Sequence, residues 1–243
     1  MRRLLIRPGA IGDVIVSLPA LQHLKADYTE IWVPSAVAPL IQFADKVVSI
    51  AASRIDVLPA GFGERLRGFD EVVSWYGSNR DALSALHPRF ILHAALPPQG
   101  DRDHATDFYA KQVGAPLGLA PKIAVNASVA RETIVIHPFS GGARKNWPLD
   151  SYRDLAGRLP LPVEWAQDRF ESLLDLAEWI AGARLYIGND SGITHLAAAV
   201  GVPTLALFGP TDPRVWAPRG ATVVQNAELD EVLAGASRLL CSR

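Results

Sequence analysis

Short apolar runs of strand character alternate with segments of helical periodicity along the whole of this 243-residue chain. This alternation is typical of α/β layering with parallel sheets. The predicted strands lie near residues 3–7, 30–33, 46–50, 71–75, 90–93, 133–137, 162–165, 184–187, 204–208 and 222–224. The predicted helices lie near residues 12–25, 36–43, 79–86, 105–113, 149–159, 170–181, 191–200 and 229–240.

A glycine- and proline-rich stretch, residues 114–122, separates two halves of similar length and is suited to a domain linker. The chain length accommodates two domains of about 100–150 residues, and the 49% hydrophobic content supplies a core for each. We therefore expect two Rossmann-like domains, 1–121 and 122–243, with parallel sheets that face a central cleft.

Composition excludes several classes of protein. A formal charge of −1 disfavours nucleic acid as a partner. The single cysteine, Cys241, excludes an intramolecular disulfide and a thiolate zinc cluster, and favours a reducing cytoplasm. The basic start is interrupted by Arg7 and Asp13, so it predicts a first strand rather than a signal peptide. Residues 191–211 lack charge, but Gly and Pro breaks divide them into a helix and a strand, so we expect no transmembrane segment.

The most informative segment is residues 188–203, GNDSGITHLAAAVGVP, which follows a predicted strand. Its small and polar residues stand where a helix begins, so unpaired N–H groups and the positive end of the helix dipole point outward. The N–H groups of Ser191, Gly192 and Ile193 are placed to meet phosphate oxygens, and Asp190 is expected to cap the helix. The segment therefore predicts an anion site.

Three segments together resemble glycosyltransferase family 9, which contains the ADP-heptose:lipopolysaccharide heptosyltransferases. They are residues 188–203, the turn RPGAIGD at 7–13, and the loop HPFSGGARKNWP at 137–148; the loop FGPTDP at 208–213 also matches. The resemblance implies the GT-B fold and an inverting, metal-independent enzyme. It implies a nucleotide-diphosphate sugar substrate, ADP-linked, with no cofactor. It implies a glycolipid or glycan acceptor at the inner membrane surface, and thus a cytoplasmic protein that is peripheral on that membrane.

The resemblance assigns the general base to Asp13, which follows the first predicted strand through a tight turn to the carboxyl edge of the sheet, where ligands bind. The alternative is that Asp13 only complements the dipole of the helix that it starts.

For the leaving diphosphate, the family-matched cation is Lys145, and Arg144 is placed to share this work. The alternative for both is a pair of solvated loop charges. His195, in the first turn after Ser191, is placed to donate to the diphosphate or to the sugar, and its alternative is a structural histidine.

In the family an acidic residue contacts the nucleoside, and Glu164 or Asp168 is the candidate here. The triplet Asp101-Arg102-Asp103 has the spelling of a metal-binding DxD motif, but it follows residues 97–100, PPQG, in a predicted loop, so we expect no metal site.

The preferred interpretation is a heptosyltransferase-like enzyme that moves a heptose or related sugar to a lipopolysaccharide-type or other surface-glycan acceptor. Two alternatives remain: a non-catalytic nucleotide-sugar-binding accessory protein, and a GT-B-like sugar-nucleotide epimerase.

Overall fold

The computed structural model describes residues 1–126, 129–166 and 170–241. The chain divides into two compact units, of which the first comprises Met1–Asp101 and Ala105–Leu119. The second comprises Arg102–His104 and Ala120–Arg243.

The first unit is built on a five-stranded parallel sheet. Its central strand contains Leu4, Leu5 and Ile6, which have no solvent exposure. A continuous apolar run of this kind is expected of a parallel strand that is covered on both faces. The strands are β1 (Arg2–Ile6), β2 (Tyr28–Val33), β3 (Lys46–Ser49), β4 (Glu71–Ser74) and β5 (Phe90–Leu92), in the order β3-β2-β1-β4-β5. The helices are α1 (Ile11–His23), α2 (Ile50–Ser53), α3 (Phe62–Leu66), α4 (Arg80–Ser84) and α5 (Ala105–Val113).

The second unit repeats this architecture. Its core includes Ile134, Leu185 and Leu205 from three adjacent strands, with no solvent exposure, packed against Val232 and Ala236 of the last helix. The strands are β6 (Ile134–His137), β7 (Val163–Trp165), β8 (Leu185–Asn189), β9 (Thr204–Phe208) and β10 (Thr222–Gln225), in the order β10-β9-β8-β6-β7. The helices are α6 (Leu149–Arg158), α7 (Leu173–Ala181), α8 (Gly192–Ala199), α9 (Pro213–Trp216) and α10 (Leu229–Cys241).

Each sheet has one point where the strand order reverses. It lies between β1 and β4 in the first unit and between β6 and β8 in the second. In open parallel sheets, ligands bind outside the carboxyl ends of the strands at this point. The segments that leave β1, β6 and β8 are residues 7–10, 138–148 and 190–191, so the three predicted motifs all lie at such points.

All ten predicted strands form. The predicted helix at 36–43 is wrong, because only Ala38–Leu40 form one 3-10 turn and Ile41 is extended. Pro39 removes an N–H group from this segment. The chain then extends alongside β2, where the Asp45 backbone N–H donates to the Thr29 carbonyl at 2.9 Å. The short helices α2, α3 and α9 are not predicted by the sequence.

Candidate functional site

Asn189 joins the ends of two adjacent strands in the second unit. This last residue of β8 is fully buried. Its Nδ2 donates to the Pro138 carbonyl at 2.7 Å, and its Oδ1 accepts from the Trp147 N–H and the Tyr152 hydroxyl, each at 2.9 Å. The loop after β6 is therefore held against β8 at both of its ends, and the cationic segment that it carries is fixed in place.

A compact hydroxyl cluster shapes the passage from β8 into α8. The Thr194 hydroxyl donates to the Asn189 carbonyl and lies 3.1 Å from Ser191 Oγ and 3.4 Å from the Tyr186 hydroxyl. Burial raises the pKa of Tyr186, so its phenol stays protonated. A Cβ on Gly188 would lie 2.6 Å from the Tyr186 hydroxyl, so this position accepts only glycine without rearrangement.

Ser191, rather than Asp190, is the N-cap of α8. Its Oγ accepts from the Thr194 N–H at 3.3 Å. Within the described parts of the chain, the N–H groups of Gly192 and Ile193 have no protein acceptor. Two unpaired donors at the positive end of a helix favour the binding of an anion, so the start of α8 is a candidate anion-binding corner.

Asp190 forms an ion pair instead of a cap, which corrects the sequence prediction. Lys145 Nζ lies 2.7 Å from Asp190 Oδ2; the carboxylate side chain is 6% exposed and the lysine side chain 39%. The Asp190 backbone N–H donates to the Leu207 carbonyl at 2.9 Å, which ties this residue to β9. A half-exposed cation is thus held directly before the N-terminus of α8.

Arg144 and Lys145 lie in a 3-10 turn, Ala143–Lys145, and both line a cavity of about 150 Å³. The walls of this cavity come from segments 144–148, 207–209 and 226–227 and from Asn189. Arg144 is exposed and Lys145 is half-buried. The structure therefore brings Lys145 together with Asp190 at the strand-order reversal, whereas Arg144 lies further into solvent.

His195 is 6% exposed, and its backbone N–H donates to the Ser191 carbonyl at 3.2 Å.

Glu164 forms an ion pair with Arg131 at 3.3 Å. Arg131 precedes β6 and lies at the amino edge of the sheet. The structure does not bring Glu164 to Lys145. Asp168 lies outside the described residues.

Asp13 belongs to the first unit and lies in the first turn of α1. Its Oδ2 accepts from the Ala10 N–H at 2.8 Å, so it does complement the helix start as the alternative interpretation expects. Its Oδ1 accepts no hydrogen bond from the residues that the structure describes. Gly9, at φ +118°, is required beneath it, because a Cβ there would lie 2.9 Å from Oδ2.

Sequence reasoning missed the residues that organise the site. Asn189 lies inside the predicted motif, but nothing in the sequence shows that its amide reaches Pro138, 51 residues away. Tyr152, 37 residues from Asn189, was missed for the same reason. Thr194 lies inside the motif, but the contacts of its hydroxyl depend on the backbone path from β8 into α8.

Among the residues described, no group of three or more His, Cys, Asp or Glu side chains is arranged to hold a metal ion. In the same residues, no helix has both the length and the apolar character needed to cross a membrane.

Comparisons with known proteins identify a family that the chain resembles. The family model of glycosyltransferase family 9 (heptosyltransferase) matches residues 171–233, which include the start of α8. Lipopolysaccharide heptosyltransferase 1 of Pseudomonas aeruginosa is 47% identical over 72 residues, which cover 29% of this chain and 20% of the relative. The resemblance seen in the sequence is thereby confirmed.

Solved structures show the fold. The E. coli ADP-heptose lps heptosyltransferase II superposes with a TM-score of 0.78 at 20% identity, with 99% of each chain covered. The E. coli heptosyltransferase WaaC with ADP superposes with a TM-score of 0.68 at 21% identity, again with 99% of each chain covered. Two parallel-sheet α/β units of five strands match the GT-B heptosyltransferase structures, as predicted.

Proposed function

We propose that this chain, which is a glycosyltransferase family 9, heptosyltransferase-like protein, transfers a heptose or related sugar from an ADP-linked donor to a lipopolysaccharide-type or other surface-glycan acceptor. The observation that carries the proposal is the corner formed by Lys145, Asp190 and the N-terminus of α8. The WaaC structure was solved with ADP, which supports ADP as the nucleotide.

In the proposed reaction, the acceptor hydroxyl attacks the anomeric carbon of the donor sugar on the face opposite the diphosphate, so the configuration inverts. The bond between that carbon and the β-phosphate oxygen breaks, and its electron pair leaves on ADP. The free N–H groups of Gly192 and Ile193 and the ammonium of Lys145 stabilise the developing negative charge. Lys145 exchanges Asp190 for phosphate as its partner, so the charge is neutralised without a metal ion.

Asp13 is the proposed general base. Oδ2 is used by the Ala10 N–H, and the unused Oδ1 takes the proton from the acceptor hydroxyl. A carboxylate suffices for this step, because the hydroxyl becomes acidic as its oxygen bonds to carbon. The helix-start role of Asp13 and the catalytic role thus use different oxygens.

The nucleoside is proposed to lie near the end of β7. A cavity of about 270 Å³ there is lined by Pro138, Phe139, Leu149, Arg153, Trp165 and Ala166. Its mostly apolar lining suits a nucleobase, and the cationic side chain of Arg153 lies at its side. Glu164 is paired with Arg131, so of the two acidic candidates we propose Asp168, which follows this strand in the sequence, as the contact to the nucleoside.

The acceptor and the cellular location are proposed from the family alone. A glycolipid acceptor would place the protein on the inner face of the cytoplasmic membrane.

Incubation with labelled ADP-heptose and heptose-deficient lipopolysaccharide tests the proposal. We expect label in the lipopolysaccharide, with the same rate in EDTA. Binding of ADP without turnover would make the chain an accessory protein, and acceptor-free isomerisation would make it an epimerase. A strict Mg²⁺ requirement would contradict the role given to Lys145.

Asp13→Asn separates catalysis from helix support. We expect turnover to fall by roughly 10²–10⁴ with little change in donor affinity, since the amide keeps the shape but cannot accept the proton. A helix-end role alone predicts a loss of about 0.5–1 kcal/mol of stability with the wild-type transfer rate. Transfer rate, melting temperature and ADP affinity, measured on both proteins, distinguish the two.

A further inference from the structure

Arg7 is a buried cation directly after β1, and its residue exposure is 1%. Its guanidinium donates to Ser17 Oγ at 2.9 Å, to the Pro8 carbonyl at 2.8 Å and to the Asp13 carbonyl at 2.7 Å. It also lies over the ring of Tyr109, 4.5 Å from the centroid. The side chain therefore joins the end of β1 to α1 and α5.

The acceptors of Arg7 are neutral oxygens. Within the part of the chain that the structure describes, Arg7 forms no ion pair with a carboxylate. Burial of this cation is costly and lowers the pKa of Arg7, an effect that the nearby charge of Asp13 only partly opposes. What the guanidinium supplies here, and an apolar side chain would not, is three directed hydrogen bonds.

The position of its contacts indicates that role. Arg7 holds the carbonyls of Pro8 and Asp13, which lie near the two ends of the turn that carries the proposed base. The turn has little room to change its conformation, because Gly9 packs directly under the Asp13 side chain. A shift of the Asp13 backbone would break the hydrogen bond from Ala10 and redirect Oδ1.

We infer that Arg7 is a positioning residue for Asp13: its three directed hydrogen bonds fix the turn at 8–13, and thereby the direction of the free carboxylate oxygen. The inference rests on the proposed function of Asp13. A lysine at position 7 keeps the charge but cannot reach three divergent acceptors, because its ammonium is a single compact centre.

The test compares Arg7→Lys with Arg3→Lys. Arg3 lies near the opposite end of β1, has a side chain that is 13% exposed, and pairs with Glu71 at 2.6 Å, away from the turn. We expect Arg7→Lys to lower kcat on the order of 10²-fold, since misplacement by about 1 Å has that effect. The KM for ADP-heptose should stay within about twofold of wild type, because the donor loops lie in the other unit. Arg3→Lys should keep the wild-type kcat.

A second readout is independent of activity. Hydrogen exchange of the Ala10 amide, which donates to Asp13, should be several-fold faster in Arg7→Lys and unchanged in Arg3→Lys. Wild-type kcat in Arg7→Lys, or equal losses in the two lysine variants, would overturn the inference.

The variant Asp13→Asn distinguishes a failure of the Arg7 inference from a failure of the proposed function. If Asp13→Asn is inactive while Arg7→Lys is fully active, the Arg7 role fails and the proposed function stands. If Asp13→Asn transfers sugar at the wild-type rate, the base assignment fails, and the positioning role fails with it even if the Ala10 amide responds. Absence of transfer by the wild-type protein overturns both.

Discussion

Lys145 interacts with the Asp190 carboxylate in the free protein. In the proposed complex it interacts with the diphosphate instead. Because Asp190 is buried, removal of the lysine alone leaves that carboxylate without its counter-ion. A change in ADP affinity caused by one substitution therefore combines the lost phosphate contact with the cost of an unpaired carboxylate. A double variant separates these effects.

We expect Lys145→Ala to weaken ADP binding by about tenfold or more, since a charged hydrogen bond contributes about 1.5–3 kcal/mol. The double variant Lys145→Met with Asp190→Asn should show only the lost phosphate contact, so it should bind ADP more weakly than the wild type but more tightly than Lys145→Ala, and it should be more stable than Lys145→Ala. Arg144→Ala, on the same turn but exposed, is the matched control and should have the smaller effect. Unchanged ADP affinity in the double variant, measured by calorimetry, would remove Lys145 from the site.

The residues predicted from the sequence were those that a local motif can identify. Ser191, Gly192 and Lys145 stand beside strand ends in recognisable segments, and the structure places them there. The pairing of Lys145 with Asp190 could not be predicted, because it depends on β6 and β8 being neighbours although β7 separates them in the chain. The same topology brings Tyr152 to Asn189.

At the level of secondary structure elements, β8 and α8 are fitted to one another through a glycine. Gly188 leaves room for the Tyr186 hydroxyl and the Thr194 side chain, the latter 3.0 Å from an added Cβ. The start of α8, and with it the anion-binding corner, depends on this close packing.

We expect Gly188→Ala to cost about 1–3 kcal/mol of stability through overpacking and to weaken ADP binding. Tyr186→Phe in the same chain should restore part of both, because it removes the nearest atom. Gly157→Ala is a suitable control, since a Cβ in that helix has open space; it should stabilise the protein by about 0.5–1 kcal/mol. Thermal unfolding checks this, and a neutral Gly188→Ala would contradict the stated clash.

Glu30 of β2 makes the stability of the first unit depend on pH. Burial opposes its ionisation, but hydrogen bonds from Trp32 and Lys46, with the nearby charge of Arg65, hold the pKa of Glu30 below its usual value. A lowered carboxylate pKa contributes stability that is present above the unfolded-state value of about 4.3 and is lost as the pH falls through the folded-state value.

Glu30→Gln should therefore destabilise the protein at pH 7, and this difference should shrink towards pH 3. Urea unfolding of both proteins at the two pH values measures it. An equal difference at both values would show that the ionised form of Glu30 is not the stabilising one.

Three helices of four or five residues, α2, α3 and α9, mark the limit of sequence reasoning at this scale. Isolated segments this short do not hold a helix in water, so their conformation depends on what they pack against. In α3, Phe62 and Leu66 are buried in the core of the first unit, a contact that no local pattern reveals. The longer α1, α6 and α10 follow periodic runs and were predicted.

At the scale of the whole molecule, the motifs divide between the units. The loops that are proposed to bind the donor, after β6, β8 and β9, belong to the second unit, and Asp13 belongs to the first. The repeated α/β architecture was predictable because apolar periodicity is a property of the whole chain. The paths between its strands were not, because they depend on contacts between distant residues.

We expect ADP to slow hydrogen exchange chiefly in the second unit. At about 100 times its Kd, a ligand stabilises the state that binds it by about 2.7 kcal/mol. This protection should appear at β6, β8 and the start of α8, whereas the core of β1 and β4 should be nearly unaffected. Exchange slowed equally in both units would show that the nucleotide is not held by the donor loops alone.

The three partners of Asn189 have a consequence for the chemical ageing of the protein. Hydrolysis of the side-chain amide to a carboxylate replaces its nitrogen by oxygen. The shape of the side chain is nearly unchanged, but its only hydrogen-bond donor group is lost. The new oxygen would face the Pro138 carbonyl with like partial charge, and the beginning of the loop after β6 would lose its hydrogen bond to β8. Full burial shields the amide from water, so the same packing that holds the loop also preserves the nitrogen atom that fixes its beginning.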